Sequence, residues 1–203
     1  MTITLGILEG DGIGHEIMPA VDDILTACED RTGVDIKRVE LPIGWESYDQ
    51  VGSSLPTETI EGLAECDGWI LGPLLIGEYP EDDDNPASPS GRLRTEFDLY
   101  ANIRPVRSYE GITAQYDEIE LIIFRQNTEG FYADRNLEVG AGEFKPTANT
   151  VLSLRVVTRK ESRRIAERAF EYVDEHPYME TVTAVHKSNV LTLGDGLFLD
   201  ALL

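Results

Sequence analysis

The chain has 203 residues, which is enough for one large domain or parts of two and enough to bury a hydrophobic core. It contains 38 Asp and Glu residues against 17 Lys and Arg residues, so its formal net charge is −21. So acidic a surface repels nucleic acid and anionic membranes, which excludes both as non-specific partners.

The first part of the chain alternates predicted strands and helices. The apolar residues from Ile17 to Cys28 recur with helical spacing, and Gly33 follows them as a stop signal. A second helix follows Pro56, because proline is common at helix starts. The predicted strands are residues 3–8, 34–41 and 69–71. This alternation predicts an α/β domain with a largely parallel sheet.

The middle of the chain begins with a loop of different composition. Residues 77–91 are rich in acids and prolines, which predicts a solvated loop. The run Asp82–Asp84 within it has no convincing metal-ligand spacing and is read as part of that loop. A short helix is predicted over residues 91–100. The apolar run at 119–124 predicts a buried strand.

The last part of the chain predicts one helix and one strand. Thr158 and Glu161 have the spacing of a capping box, and Pro177 ends the helix that they begin. Residues 181–185 predict a strand that leads into Lys187.

Three glycines lie between the first predicted strand and helix, where a phosphate-binding loop would be found. Their spacing is G-x-G-x-G rather than G-x-G-x-x-G, and no Gly-Lys-Ser/Thr follows. Asp11 also places a negative charge where an anion would bind. The residues alone leave open a structural tight turn and a ligand loop; they disfavour a phosphate-binding protein.

Five further side chains could carry chemistry. Arg94, Arg104 and Arg125 lie beside loops, and the arginine fork binds carboxylates through two hydrogen bonds. Tyr132 could act as a general acid and Lys187, at a strand end, as a general base. Each also has an ordinary interpretation: surface ion pairs for the arginines, a half-buried tyrosine and a solvated lysine.

Five segments, spread over nearly the whole chain, are informative as an ordered set of motifs: GDGIGHEI (10–17), ILGP (70–73), LRTEFDLYANIRPVR (93–107), FRQNTEGFYADRN (124–136) and VHKSNVLTLGDGLF (185–198). In these segments, and in their order, the chain resembles the N-terminal part of the isocitrate and 3-isopropylmalate dehydrogenase family, the β-decarboxylating dehydrogenases. The resemblance implies oxidative decarboxylation of a malate-type 2-hydroxy acid with NAD or NADP and a divalent cation, Mg²⁺ or Mn²⁺.

The resemblance also assigns roles. Arg94, Arg104 and Arg125 would bind substrate carboxylates, Tyr132 would protonate the enolate carbon after carbon dioxide leaves, and Lys187 would help remove the proton of the substrate hydroxyl. In this family the lysine reaches the partner subunit's site, which implies a homodimer. The cofactor-binding positions are Ile13, Gly72 and Asn189. The glycine loop is then mainly a tight turn.

The residues that select the substrate are expected just before Arg94. Ser88 matches the serine that meets the extra carboxylate in isocitrate dehydrogenases, and Ser90 falls where those enzymes have asparagine. The polar residues disfavour an isopropyl group, whereas the NTEGFYADRN segment differs from the usual bacterial isocitrate version. Isocitrate, 3-isopropylmalate and simple malate or tartrate therefore all stay open.

The family resemblance implies a two-lobed α/β fold that is incomplete at the C-terminus. Residues 1–102 would begin the first lobe, and residues 103–203 would form most of the second, with a dimerisation arm near 134–157. Family members are much longer, and their metal ligands are expected beyond residue 203. We expect the 203 residues alone to have little or no activity; the alternative function is an inactive remnant that dimerises or binds carboxylates.

The cysteine and lysine content predicts the environment. Two cysteines are too few for a disulfide framework, and with no signal peptide this favours a reducing cytoplasm. Only four of the 17 basic residues are lysines, and a surface this acidic suits concentrated salt, where screening weakens self-repulsion. The melting temperature should therefore rise between low and molar salt. A melting temperature that does not rise would contradict this salt adaptation.

Overall fold

The computed structural model describes residues 2–80, 88–116, 118–132 and 142–203. The chain divides into two compact units, Met1–Leu93 and Arg94–Leu203, which are described separately. This boundary differs from the predicted one at residue 102, which falls inside a strand of the second unit. No helix within the described ranges is long and apolar enough to cross a membrane.

The first unit is built on a parallel three-stranded sheet. Strand β1 (Thr2–Leu8) lies between β2 (Asp35–Glu40) and β3 (Gly68–Leu71), with Ile3 opposite Ile36. These strands confirm the three that the sequence predicts in this region. Their β-branched and aromatic residues favour the pleated backbone, and parallel pairing places all three carboxyl ends at one edge.

Three helices connect and cover these strands: α1 (Gly14–Thr32), α2 (Gly44–Val51) and α3 (Thr57–Ala64). The stop predicted at Gly33 is confirmed: it has a left-handed φ of 71°, and its N–H donates to the carbonyl of Glu29. Helix α2 is not predicted by the sequence. Its buried residues, Gly44 and Ser47, are not the apolar residues that helical periodicity relies on.

The core of the first unit lies under α3. Leu8 and Leu63 are fully buried, and Thr59 donates its hydroxyl to the carbonyl of Pro42 at 2.6 Å. Gly6 of β1 allows this packing, because a Cβ there would collide with the Leu63 side chain.

Helix α4 (Pro89–Glu96) spans the boundary between the units and lies earlier than the predicted 91–100. It ends because Asp98 takes a positive φ of 47°, which interrupts helical geometry. The N–H of Leu99 donates to the carbonyl of Arg94 at 2.9 Å and closes the last turn.

The second unit contains an antiparallel pair, β4 (Ala101–Arg107) and β5 (Glu120–Gln126). The largely parallel sheet that we predict therefore holds only for the first unit. Strand β5 confirms the strand at 119–124 but not its burial, since Leu121 is 43% and Ile123 is 49% exposed. Helix α5 (Arg159–Glu175) covers one face only, where the rings of Phe124 and Tyr172 lie 5.4 Å apart.

Two further strands form a hairpin within the predicted arm. Strands β6 (Glu143–Thr147) and β7 (Thr150–Ser153) pair antiparallel and are exposed throughout. Residues 134–141 of the arm, like the acidic run Asp82–Asp84, lie outside the described residues. The contact of this arm with a partner subunit stays a prediction.

The strand predicted at 181–185 is wrong. A strand needs a hydrogen-bonded neighbour, and no strand among the described residues pairs with this segment. Helix α6 (Gly194–Leu202), which follows it and packs on α5, is not predicted.

Helix α5 begins with half of the predicted capping box. The Thr158 hydroxyl oxygen accepts the N–H of Glu161 at 3.2 Å, as predicted. In a full capping box, the Glu161 side chain would accept the N–H of Thr158. In this protein Glu129 accepts that N–H, at 2.9 Å, and also the Thr158 hydroxyl, at 2.6 Å. Glu161 instead binds Arg164 at 2.9 and 3.0 Å.

Replacing Thr158 by alanine should destabilise the second unit by about 2 kcal/mol, because it removes the cap of α5 and a partner of the buried Glu129. Urea denaturation followed by circular dichroism measures the loss. Thr158→Ser, which keeps the hydroxyl, is the control and should stay close to wild type. Equal stability of Thr158→Ala and wild type would show that the cap contributes nothing.

Candidate functional site

Strands β4 and β5 place two of the predicted arginines on one face. Asn102 lies directly opposite Arg125, and Arg104 lies two residues further along the same face. The Arg104 Nε donates to Asn102 Oδ1 at 2.8 Å, which fixes the guanidinium along the strand. Because Phe124 points to α5, Arg125 points to the other face, so both arginines lie on the face that α5 leaves uncovered.

Tyr132 lies beside one of these arginines. Arg125 Nη2 donates to the Tyr132 hydroxyl at 3.2 Å, and the guanidinium carbon lies 5.8 Å from the ring centroid. The phenol oxygen is thus an acceptor toward Arg125, and the phenol itself carries a proton. The pair can hold an anion and supply a proton next to it.

Two contacts anchor the loop that carries Tyr132. Gly130 and Val156 exchange backbone hydrogen bonds at 2.9 and 2.8 Å. One residue earlier, Glu129 is 8% exposed and binds Thr158 at the start of α5. Glu129 therefore anchors the loop that leads to Tyr132, and the sequence did not reveal this contact.

The start of α4 carries the two predicted serines. The Ser88 oxygen accepts the N–H of Gly91 at 3.2 Å, and this half-buried side chain keeps its O–H as a donor. Ser90 is 8% exposed, and its shielded oxygen makes no hydrogen bond in the structure described here. A buried hydroxyl without a partner is costly, so a shift of α4 toward an acceptor would stabilise it. Arg94 lies one turn later in the same helix.

Lys187 is held through its backbone. Its N–H donates to Asp195 Oδ2 at 2.6 Å, and its carbonyl accepts the N–H groups of Val190 and Leu191. Asp195 is buried and also forms an ion pair with Arg155. The hydrogen bond that Arg155 donates within this ion pair is the largest cause that lowers the pKa of Asp195, and the backbone hydrogen bond from Lys187 is the second. Sequence reasoning missed Asp195, one of 38 acids.

Asp195 predicts an acid-dependent loss of stability. Because its pKa in the folded state is below its unfolded value of about 3.9, it contributes stability above that pH, and this is lost as the pH falls through the folded pKa. Urea denaturation should therefore show Asp195→Asn less stable than wild type at pH 7, with the difference shrinking below about pH 4. A difference that is constant with pH would contradict the ionic role of Asp195.

The glycine loop of the first unit is a tight turn packed on the loop after β3. The Asp11 N–H donates to the carbonyl of Pro73 at 2.6 Å. A Cβ at Gly10 would overlap that same carbonyl oxygen, and a Cβ at Gly72 would overlap the carbonyl oxygen of Glu9. These contacts favour the structural interpretation of the loop over a phosphate-binding one.

The Asp11 side chain differs from its sequence-based interpretation. We predicted that its negative charge would face an approaching anion. Instead the side chain is only 4% exposed and turns into the protein. Its Oδ1 accepts the N–H of Trp45 at 2.7 Å, and its Oδ2 accepts the N–H of Leu75 at 3.0 Å and the hydroxyl of Tyr79. The carboxylate is thus satisfied entirely by protein donors.

Among the residues predicted to bind the cofactor, Ile13 has surroundings compatible with a nicotinamide ring. Ile13 is 59% exposed at the start of α1, and the space beside Gly12 is open on its Cβ side. This leaves an apolar surface on which a flat ring can pack. Gly72 is buried in the first unit, and Asn189 is exposed in the second unit.

The divalent cation does not fit the part of the chain that the structure describes. Within residues 2–80, 88–116, 118–132 and 142–203, no group of three or more His, Cys, Asp or Glu side chains could hold a metal ion.

A cavity of about 650 Å³ opens in the first unit between α1 and α2. Its rim includes Glu9, Glu40 and Glu46, whose negative charge disfavours a carboxylate substrate.

Residues 4–202 match the family model described as isocitrate/isopropylmalate dehydrogenase. The chain is 36% identical over 199 residues to a 3-isopropylmalate dehydrogenase of Methanothermobacter thermautotrophicus. This match covers 98% of this chain and 54% of the relative. It is 32% identical over 210 residues to an isocitrate/homoisocitrate dehydrogenase of Thermus thermophilus, covering 98% of this chain and 55% of that relative.

A solved structure gives the same result. The crystal structure of isocitrate dehydrogenase from Methylococcus capsulatus matches with a TM-score of 0.80 and 31% identity, over 98% of this chain and 56% of that chain. The predicted family and fold class are therefore confirmed. The chain spans about half the length of the curated relatives it matches.

Proposed function

The chain belongs to the isocitrate/isopropylmalate dehydrogenase family, and from this membership we propose that it supplies the carboxylate-binding residues of a β-decarboxylating dehydrogenase. The reaction is the oxidative decarboxylation of a malate-type 2-hydroxy acid, dependent on NAD or NADP and on Mg²⁺ or Mn²⁺. The observation that carries this proposal is the placement of Arg104, Arg125 and Tyr132 together in the second unit.

The arginines bind the substrate. A guanidinium binds a carboxylate through two parallel hydrogen bonds, and two guanidiniums on one face of the sheet suit a substrate with at least two carboxylates. Arg94 adds a third fork from α4. In a chain of net charge −21, these cations also provide the attraction that an anionic substrate needs.

Two residues move protons. Lys187 helps to take the proton from the substrate hydroxyl. A nicotinamide, when bound, would supply the hydride acceptor for the carbon that bears this hydroxyl. After carbon dioxide leaves, Tyr132 donates its phenol proton to the enolate carbon. Arg125, which donates to the Tyr132 oxygen at 3.2 Å, stabilises the phenolate that remains. Ile13, Gly72 and Asn189 are the residues proposed to hold the nicotinamide end.

The substrate class rests on the start of α4. Ser88 keeps a hydroxyl donor there, which favours a carboxylate or hydroxyl over an apolar branch. The relatives named above act, by name, on 3-isopropylmalate and on isocitrate or homoisocitrate. We propose that this chain takes a substrate of the isocitrate or 3-isopropylmalate class, with malate and tartrate as simpler analogues.

The remaining proposals concern assembly. We propose a homodimer in the cytoplasm, in which Lys187 reaches the partner's site and the arm near 134–157 contacts the partner. The exposed hairpin β6–β7 suits such a contact, since it leaves Phe144 and Val151 more than half exposed.

A second candidate function is an inactive module that dimerises or binds carboxylates. It is favoured by one observation: the described residues offer no group of ligands for the divalent cation. Such a module would keep the arginine face and lose turnover.

Calorimetry and turnover assays on the purified chain in high salt test both candidates. Isocitrate, 3-isopropylmalate, malate and tartrate are each titrated, and reduction of NAD⁺ and NADP⁺ is followed with Mg²⁺ present. Binding of one of the acids supports the arginine face as a carboxylate site in either candidate. Turnover supports the dehydrogenase and contradicts the inactive module. If none of the acids binds, the arginine face is not a carboxylate site and both candidates fail.

A further inference from the structure

We propose that Asp11 is a positioning residue that fastens together, through Tyr79, the two loops of the first unit that hold the nicotinamide cofactor. These loops are residues 10–14, which follow β1, and residues 72–79, which follow β3. The inference rests on the proposed function, since it concerns the same cofactor. It assigns roles to two residues that touch neither substrate nor cofactor.

The first support is the number of elements that meet at one carboxylate. Asp11 lies in the first loop, and its side chain accepts hydrogen bonds from Leu75 and Tyr79 of the second. The N–H of Trp45, in the first turn of α2, is the third donor. One buried anion therefore holds three segments that are remote in sequence, and each loses a charge-assisted bond if the carboxylate is replaced.

The second support is the close packing that surrounds this carboxylate. Gly44 has a φ of 82°, and a Cβ there would overlap Asp11 Oδ1, so only glycine leaves room for the side chain. The Trp45 and Tyr79 rings lie 5.4 Å apart, and Asp11 is only 4% exposed. Such an enclosed hydrogen-bonded group has a single position, which suits a positioning role.

The third support is the state of the Tyr79 hydroxyl. Tyr79 is 5% exposed, and its burial, followed by the hydrogen bond to Asp11, raises its pKa. The phenol therefore stays protonated and always donates to Asp11.

The consequence for the cofactor follows from which residues the loops carry. Two of the three residues proposed to bind the nicotinamide end lie in these loops: Ile13 in the loop after β1 and Gly72 in the loop after β3. The hydrogen bond between Asp11 and Tyr79 joins the two loops. Without it, the loop after β3 keeps its contact at Pro73 but is released from Leu75 onward. The surface beside Ile13 then loses its fixed shape, and binding must provide the ordering.

Two variants and one control test this proposal in the full chain. Asp11→Asn replaces one acceptor oxygen by a donor, and Tyr79→Phe removes only the hydroxyl. Thr59→Val is the control, because it removes a buried hydrogen bond of the same unit without touching either loop. Hydrogen exchange is measured for all four proteins, together with the affinities for NAD⁺ and for malate from calorimetry.

We expect both loops to exchange at least tenfold faster in Asp11→Asn and Tyr79→Phe but not in Thr59→Val. We expect the affinity for NAD⁺ to fall at least fivefold in the same two variants, with malate binding unchanged. Loops that exchange as in the control, or an unchanged affinity for NAD⁺, would overturn the proposal while leaving the proposed function intact. Wild-type protein that binds malate but not NAD⁺ also overturns it, and wild type that binds neither refutes the proposed function itself.

Discussion

Replacing Gly10 by alanine should destabilise the first unit by at least about 3 kcal/mol. Two costs combine at this position. Gly10 has a φ of 78°, which a Cβ disfavours by about 1 kcal/mol, and the added carbon would overlap the carbonyl oxygen of Pro73. Since the overlapped atom is backbone, the loop after β3 must move as a whole.

Gly12 is a matched control in the same loop. It also has a positive φ, of 54°, but nothing lies within 4 Å of its Cβ position. Gly12→Ala should therefore cost only about 1 kcal/mol, from the backbone conformation alone. Urea denaturation of both variants measures the two losses. Equal losses would mean that the loops after β1 and β3 are not packed backbone to backbone.

Arg125→Met should weaken the binding of malate or isocitrate at least about 100-fold. The substitution keeps an unbranched apolar stem but removes the fork, and two charge-assisted hydrogen bonds together contribute about 3 kcal/mol. It also removes the donor to Tyr132, so any turnover should fall further than binding does. Arg125→Lys keeps the charge but not the two-bond geometry and should give an intermediate affinity.

Arg107 provides the control for this experiment. It lies at the end of the paired strand β4, and its guanidinium packs 5.1 Å from the ring centroid of Tyr109 rather than beside Tyr132. Arg107→Met removes the same charge from the same sheet and should change the affinity less than about threefold. If both variants lose affinity equally, the effect comes from net charge and the arginine face is not a specific site.

The fold could be predicted where hydrophobic periodicity and turn residues agree. Strands β1 to β3 and the start and end of α5 carry strong local signals, so the sequence is sufficient there. Helix α2 was missed because its face rests on Gly44 and Ser47 rather than on apolar residues. The strand expected at 181–185 has the right composition, but pairing depends on a neighbouring strand that local sequence does not encode.

The roles of the candidate-site residues stay predictions, and the sequence did not predict the groups that support these residues. Family motifs assigned Arg125, Tyr132 and Lys187, and the structure places the first two in contact. The buried carboxylates behind the motifs, Asp11 and Asp195, were not found as positioning groups. Among 38 acids, nothing in the sequence distinguishes a carboxylate that accepts backbone N–H bonds in the interior from one in solvent.

The double anchoring of the segment that leads to Tyr132 restricts how this chain can change in length. The segment leaves β5 after Gln126 and is fixed again four residues later, where Gly130 pairs with Val156. An inserted or deleted residue between these two points would break either the pairing or the hold of Glu129 on Thr158, and would turn Tyr132 away from Arg125. Homologous proteins that vary in loop length should therefore place their insertions after Tyr132, and the spacing from Arg125 to Tyr132 should be constant among active enzymes.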